Sequence, residues 1–359
     1  MRKRIKEMTA LIGVSGHEWE VSGYIRAALE GYVDSMWTQP NGNLIAVKKG
    51  SQPGPAHVIS AHMDEVGYIV RCVDKNGFLY FDKIGYPTEA CIPGRRVLVK
   101  GEKGVIPGII GARPAHLLTP QELQTPQSVK KSYIDICVRS REQAHTLGIG
   151  PGAQVVIDSP CCEMNDPDYI SARAIDCRVL CAIIIEAFRT LDARELHGDV
   201  CAVFSVMEEA TVSGAISAIN ELLPQYGLFL DTIPTGDVPD GNTEQELPLG
   251  IGQGPAIIVS QQWQAAGKYV AAHPKLLAAL RAAAAEANVM HQEFAFNCAA
   301  FMTDAASAAS AGYGVATATI GVPRRYSHSP VELIHLNDVV GCLKIVKHYL
   351  KKEIDLSMD

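Results

Sequence analysis

The chain has 359 residues, of which 47% are hydrophobic and 20% charged, with a formal net charge of −7. This is ordinary globular usage, long enough for a large core and two domains, and its acidic balance excludes a broad basic face for nucleic acid. No stretch approaches the roughly 20 apolar residues of a membrane span, and the N-terminus lacks the pattern of a signal peptide, so a soluble, cytoplasmic protein is expected.

Helical periodicity is predicted at Arg4–Leu11 and Trp19–Leu29, followed by strands at Asn43–Lys48 and His57–Ala61. From about Tyr68 to Glu163 the pattern changes to short β-rich runs punctuated by Gly and Pro: Tyr68–Val73, Phe78–Asp82, Arg96–Lys100, Val105–Ile110, Ile134–Val138 and Val155–Ile157. Beyond it, a helix from near Asp176 to Leu191 precedes a strand (Val200–Val206), a helix (Val212–Leu222) and strands at Leu228–Asp231 and Ala256–Val259. A helix (Pro274–Asn288), a strand (Glu293–Phe296), a helix (Asp304–Ser310), a strand (Val315–Ile320) and a helix (Asn337–Lys351) complete the chain. Alternating strands and helices predict an α/β fold, a sheet covered by helices on both faces. The β-rich stretch predicts a small inserted β-barrel. The expected division is a discontinuous domain of residues 1–67 and 164–359 around an insert of residues 68–163.

Several segments place His, Asp or Glu at the end of a predicted strand, where open α/β sheets build their sites. In Val58-Ile-Ser-Ala-His-Met-Asp64, His62 and Asp64 lie on one side of an extended chain. A ligating imidazole commonly donates its other N–H to a carboxylate, and Asp64 suits that task. Asp176 precedes an apolar helix and, taken alone, reads as its N-cap. Glu208 and Glu209 end an apolar strand as an adjacent pair, which a cation would explain. Asp231 ends another strand, and His328 sits in a proline-bounded loop. Two imidazoles and three carboxylates suffice for two divalent ions, with zinc, cobalt and manganese all suited. There is no H-E-x-x-H, no G-x-S-x-G and no P-loop. The ten cysteines show no C-x-x-C and read as small buried residues; Cys161 with Cys162, or Cys177 with Cys181, is where a soft-metal or redox site would fall.

At these residues the chain resembles the M42 metallo-aminopeptidases, which include glutamyl and tetrahedral aminopeptidases. The matching pieces run in order along nearly the whole chain: SGHEWEV, AHMDEVG, GARPAHLLTPQE, GIGPG, ARAIDCR, MEEATVSGA, LDTIPTGD and RYSHSPVE. The resemblance implies a di-zinc exopeptidase type of mixed sheet and an aminopeptidase acting on short peptides. It implies two divalent ions per subunit: His62, Asp176 and Asp231 would hold one, and Asp176, Glu209 and His328 the other. Glu208 would be the general base, Asp64 would orient His62, and the inserted barrel would mediate dimers that assemble into a dodecamer.

The chain departs from that pattern at several places. Cys177 stands where Asp or Asn is usual, and a cis Asp176–Cys177 bond is expected. Phe301 and Met302 precede Thr303 and Asp304 where glycines are usual, so they either reshape the substrate pocket or fill core. Leu180 replaces a small residue, with a packing effect expected. His116 is read as structural. Arg324 and Arg325 are read as meeting an acidic substrate side chain or as solvated. The remaining alternatives are a deacylase using the same ions, and a catalytically silent peptide-binding or assembly protein.

Overall fold

The structure, a computed structural model, describes residues 1–124, 128–296 and 301–357. Its centre is a nine-stranded mixed sheet. The strands run in the order Ser35–Thr38, Leu44–Lys48, Val200–Ser205, His57–His62, Tyr226–Pro234, Ala316–Arg324, Ala256–Trp263 and Lys268–Ala271, with Gln292–Phe296 also paired to Ala256–Trp263. The middle four, from Val200–Ser205 to Ala316–Arg324, are parallel. Their carboxyl ends therefore open on one edge, and the candidate residues sit there.

Alternate residues of the central strands point to opposite faces. Ala46, Ile59, Phe204 and Leu228 join a core covered by the helices Arg2–Ala10, Trp19–Leu29, Ile175–Thr190, Pro274–Glu286 and Leu336–Tyr349. Ile45, Val58, Val203 and Phe229 face the helices Gly214–Leu222 and Asp304–Ala308. Both faces are thus dry, which is why these strands read as continuous apolar runs. Leu180 is fully buried in the larger core, the packing position expected of it.

The β-rich stretch closes into a six-stranded barrel: Gly67–Val73, Leu79–Ile84, Ile134–Asp135, Gly104–Ile110, Arg96–Gly101 and Gln154–Ile157. It carries its own core, including Tyr68, Phe81, Val97, Val99 and Val155. Closure removes the exposed edges that six short strands would otherwise present. A small three-stranded sheet joins Cys162–Glu163, Tyr169–Ala172 and Glu332–His335.

The predicted helix Val212–Leu222 starts at Gly214, and a separate single turn precedes it. Glu208–Thr211 ends at Val212, whose φ of 50° breaks the path before Gly214–Leu222 begins. A β-branched residue in the left-handed region is unfavourable on its own, so surrounding packing holds it. At Gly214 a Cβ would collide with the Val206 carbonyl, so the second helix starts hard against the end of the Val200–Ser205 strand. The reading of the cysteines also needs correction. Cys177, Cys181, Cys201 and Cys342 are buried, but Cys72, Cys137 and Cys162 are exposed; Cys298 lies outside the described residues.

Candidate functional site

The two ends of the sequence-predicted set meet at the open edge of the parallel strands. His62 closes the His57–His62 strand, and its Nε2 lies 3.2 Å from Asp176 Oδ1, 3.9 Å from Asp231 Oδ1 and 3.9 Å from Glu208 Oε2. His328 Nε2 lies 3.2 Å from Glu209 Oε2 and 3.5 Å from Asp176 Oδ2. Asp176 thus stands between the two imidazoles, one oxygen toward each. Two groups of donor atoms result: His62, Asp176, Cys177 and Asp231; and Asp176, Glu209 and His328. The predicted cap is not formed. Ala174, at φ 55°, is the N-cap, and Asp176 lies inside the first turn with non-helical torsions, which frees its carboxylate for the site. The Asp176–Cys177 bond is cis, as expected.

Asp64 is fully buried and ties the pieces together. Its Oδ1 lies 3.3 Å from His62 Nδ1 and accepts from Glu208 N at 3.1 Å; its Oδ2 accepts from Glu209 N at 3.0 Å and from the Ser15 hydroxyl. One carboxylate therefore sets both the imidazole and the first turn carrying the two glutamates. Glu18 adds a second tether, accepting from Gly16 N at 2.7 Å and Met207 N at 3.0 Å. Burial and the charge on Asp64 push its carboxyl up to about 7. The SGHEWEV segment, far away in sequence, thus holds the Glu208 turn in place. Glu65, next to Asp64, pairs with the buried Arg173 and, at 3.2 Å, with Arg178.

The electrostatics show what the cluster lacks. Burial pushes the Glu208 and Asp231 carboxyls well above the carboxylate range; neighbouring acids reinforce this and His62 opposes it. Glu209 is pushed up to about 7 by burial, against the pull of His328. His328 goes up to about 9, because Glu209 and Asp176 overcome its burial. Asp176 behaves oppositely: despite burial, the Arg324 guanidinium holds it well below its ordinary value. Glu209 Oε1 is buried and accepts no hydrogen bond. Acids crowded this closely, one with an unpartnered oxygen, and two imidazoles fit a pair of divalent cations, whose charge would replace the retained protons.

Other residues of the site carried no clear sequence signal. Arg324 is neither solvated nor free. It pairs with Asp176 Oδ2 at 2.8 Å and with Glu332, and donates to Ser327 Oγ at 2.6 Å. Glu332, within the RYSHSPVE segment, accepts from Asp176 N and from His328 N, each at 3.1 Å. Arg325 pairs with Asp237 at 2.7 Å. Arg324 is therefore not the solvated group expected, and both guanidiniums are already paired with carboxylates of the chain itself. Buried Asp304 accepts from Ser205 Oγ at 2.5 Å, and burial raises it to about 6. His116 is exposed in a short turn of the β-rich stretch, outside both donor groups.

A cavity of about 550 Å³ opens onto Glu208, Asp231 and His328. Its far wall is apolar, made by Tyr86, Val212, Trp263, Phe296, Phe301 and Met302. The Tyr86 and Trp263 rings meet edge-on at 6.0 Å, and those of Phe296 and Phe301 stand 4.2 Å apart. Phe301 and Met302 therefore shape the cavity, and Phe301 also packs against the Ile233–Phe296 cluster.

The chain is 28% identical over 353 residues to a lysyl aminopeptidase of Pyrococcus furiosus, covering 97% of this chain and 96% of that one. It superposes on an aminopeptidase from the archaeon Desulfurococcus kamchatkensis with a TM-score of 0.90, at 29% identity and 98% and 94% coverage. A Pyrococcus horikoshii TET1 peptidase, described as assembling into a tetrahedron or a large octahedral shell, matches with a TM-score of 0.83, 28% identity and 97% and 98% coverage. The model of M42 glutamyl aminopeptidases aligns with residues 42–345, spanning the strand ends, the barrel and every residue of the two donor groups. By that match this chain belongs to the M42 glutamyl aminopeptidase family.

Proposed function

We propose that this protein is a two-ion aminopeptidase that removes bulky apolar residues from the N-termini of short peptides. The observation that carries the reading is the convergence of His62, Asp176, Glu208, Glu209, Asp231 and His328 at the mouth of one apolar-walled cavity. His62, Asp176 and Asp231 would hold one ion, and Asp176, Glu209 and His328 the other. When bound, two such ions polarise the scissile carbonyl and make water acidic enough to attack near neutral pH.

The chain's own groups do the rest. Glu208 faces the cluster without the imidazole partner that occupies Glu209 at 3.2 Å, which frees it for proton transfer. It takes a proton from the attacking water and passes it to the leaving amine. Asp64 fixes the His62 ring and the Glu208 turn together, so base and ligand keep one geometry. The cavity wall excludes water from the side chain of the departing residue.

That wall supports the substrate class. Apart from the cluster, its only charged lining group among the described residues is Arg324, already paired with Asp176 and Glu332. A glutamyl or lysyl side chain entering it would lose water without gaining a partner. Leucyl and phenylalanyl substrates are expected to exceed glutamyl and lysyl ones in kcat/KM by at least about tenfold. Trp263→Ala is expected to shrink that margin by lowering the apolar rates alone. A panel of aminoacyl-p-nitroanilides, run on metal-stripped protein with Zn²⁺, Co²⁺ or Mn²⁺ restored, tests both points. Metal-dependent release that favours acidic or basic residues would refute the pocket assignment. Equal cleavage of N-acetylated peptides would refute the aminopeptidase.

The barrel supports assembly. Val105, Ile109, Leu117 and Tyr133 are exposed in the β-rich stretch, which we assign as the dimerisation surface of residues 68–163. Light scattering should then give the mass of a dimer or of a dodecamer built from dimers. A monomer at micromolar concentration would refute this.

A further inference from the structure

Cys177 occupies a place where the family resemblance leads one to expect Asp or Asn, and the structure puts its sulfur inside the site. The side chain is fully buried. Its Sγ, a ring nitrogen of His62 and one carboxylate oxygen each of Asp176 and Asp231 all lie within 4.8 Å of one another. The thiol donates a weak hydrogen bond to Leu230 O at 3.6 Å and also meets the His62 ring, the imidazole of the same donor group. Cys181, one helical turn on, differs: its thiol turns to the His62 carbonyl at 3.1 Å and joins neither donor group. The second group, Asp176, Glu209 and His328, contains no sulfur.

An imidazole, two carboxylates and a thiolate make four donors, enough to hold an ion that gains a fifth partner when water or a carbonyl reaches it. With metal–sulfur and metal–nitrogen bonds of about 2.3 and 2.0 Å, such donors stand about 3.5 Å apart, so small side-chain adjustments close this group on an ion. We propose that Cys177 binds, as a thiolate, the ion shared by His62, Asp176 and Asp231. The inference rests on the two-ion reading above. As the sulfur–metal bond forms, the S–H bond breaks and its proton passes to solvent, with no change of oxidation state. The two sites then differ in chemistry. The sulfur-containing site favours Zn²⁺, Co²⁺ or Cd²⁺, while the oxygen-rich site also accepts Mn²⁺.

The test is the optical spectrum of metal-stripped protein titrated with Co²⁺, with bound cobalt counted independently. A near-ultraviolet thiolate-to-cobalt charge-transfer band is expected in the wild type, lost in Cys177→Ser and kept in Cys181→Ser. Two bound cobalt ions without that band, or a band that survives Cys177→Ser, would overturn the proposal and leave the two-ion reading standing. Failure to bind cobalt at all would overturn both. Cadmium NMR of the wild type keeps the question answerable if Cys177→Ser does not fold. One strongly downfield, sulfur-ligated resonance supports the assignment, and only oxygen- and nitrogen-ligated resonances overturn it.

Discussion

Replacing Glu208 by Gln is expected to lower kcat by about 10²- to 10⁴-fold while fold and ion content stay unchanged. The substitution keeps the shape of a buried side chain at the cavity mouth and leaves the Asp64 bond to its backbone N–H intact. What it removes is the capacity to accept a proton. Glu208 stands 3.9 Å from His62 Nε2, close enough to serve the reacting water, yet it belongs to neither donor group. Glu209→Gln provides the contrast. Its carboxylate stands 3.2 Å from His328 and is one of the three members of the second donor group, so its loss should reduce bound metal from two ions toward one. The measurement is kcat beside metal content for both variants. A Glu208→Gln enzyme turning over at the wild-type rate would refute the assignment of the base. Loss of metal in that variant would show the two glutamates to have exchanged roles.

The division between these two neighbours was not legible in the residues themselves. Adjacent glutamates at a strand end announce a site but not which one faces which partner; the left-handed turn at Met207 decides that. The central strands were legible because both faces of the sheet are dry, so His62 at the end of one apolar run and Asp231 near the end of another stand out, although the second strand continues past Asp231 to Pro234. Short edge strands such as Ser35–Thr38, Lys268–Ala271 and Glu332–His335 were not. They carry too few apolar residues to show a period, and pairing with a neighbour defines them. Asp176 misled for a related reason. An aspartate before an apolar helix reads as a cap, and only the turn at Ala174 sends its carboxylate to the imidazoles. The apolar cavity wall draws on residues from Tyr86 to Met302, so no local pattern contains it.

Arg324→Met should destabilise the metal-free protein by about 3–5 kcal/mol, the cost of removing one partner from a buried ion pair. The guanidinium is almost wholly buried between Asp176 and Glu332. Together with the His328 and His62 rings, it holds the Asp176 carboxyl well below its ordinary value despite burial. Methionine fills a similar length of cavity but leaves two carboxylates facing each other. Glu332 keeps its bonds from the Asp176 and His328 backbone N–H groups, so it remains enclosed without a charged partner. Bound ions should offset only part of this loss, because they compensate Asp176 and not Glu332. Urea unfolding midpoints of wild type and variant, each with and without metal, separate the two contributions. Equal midpoints in the metal-free state would show the arginine to be dispensable for the fold. Full recovery with metal would show that Asp176 alone needed it.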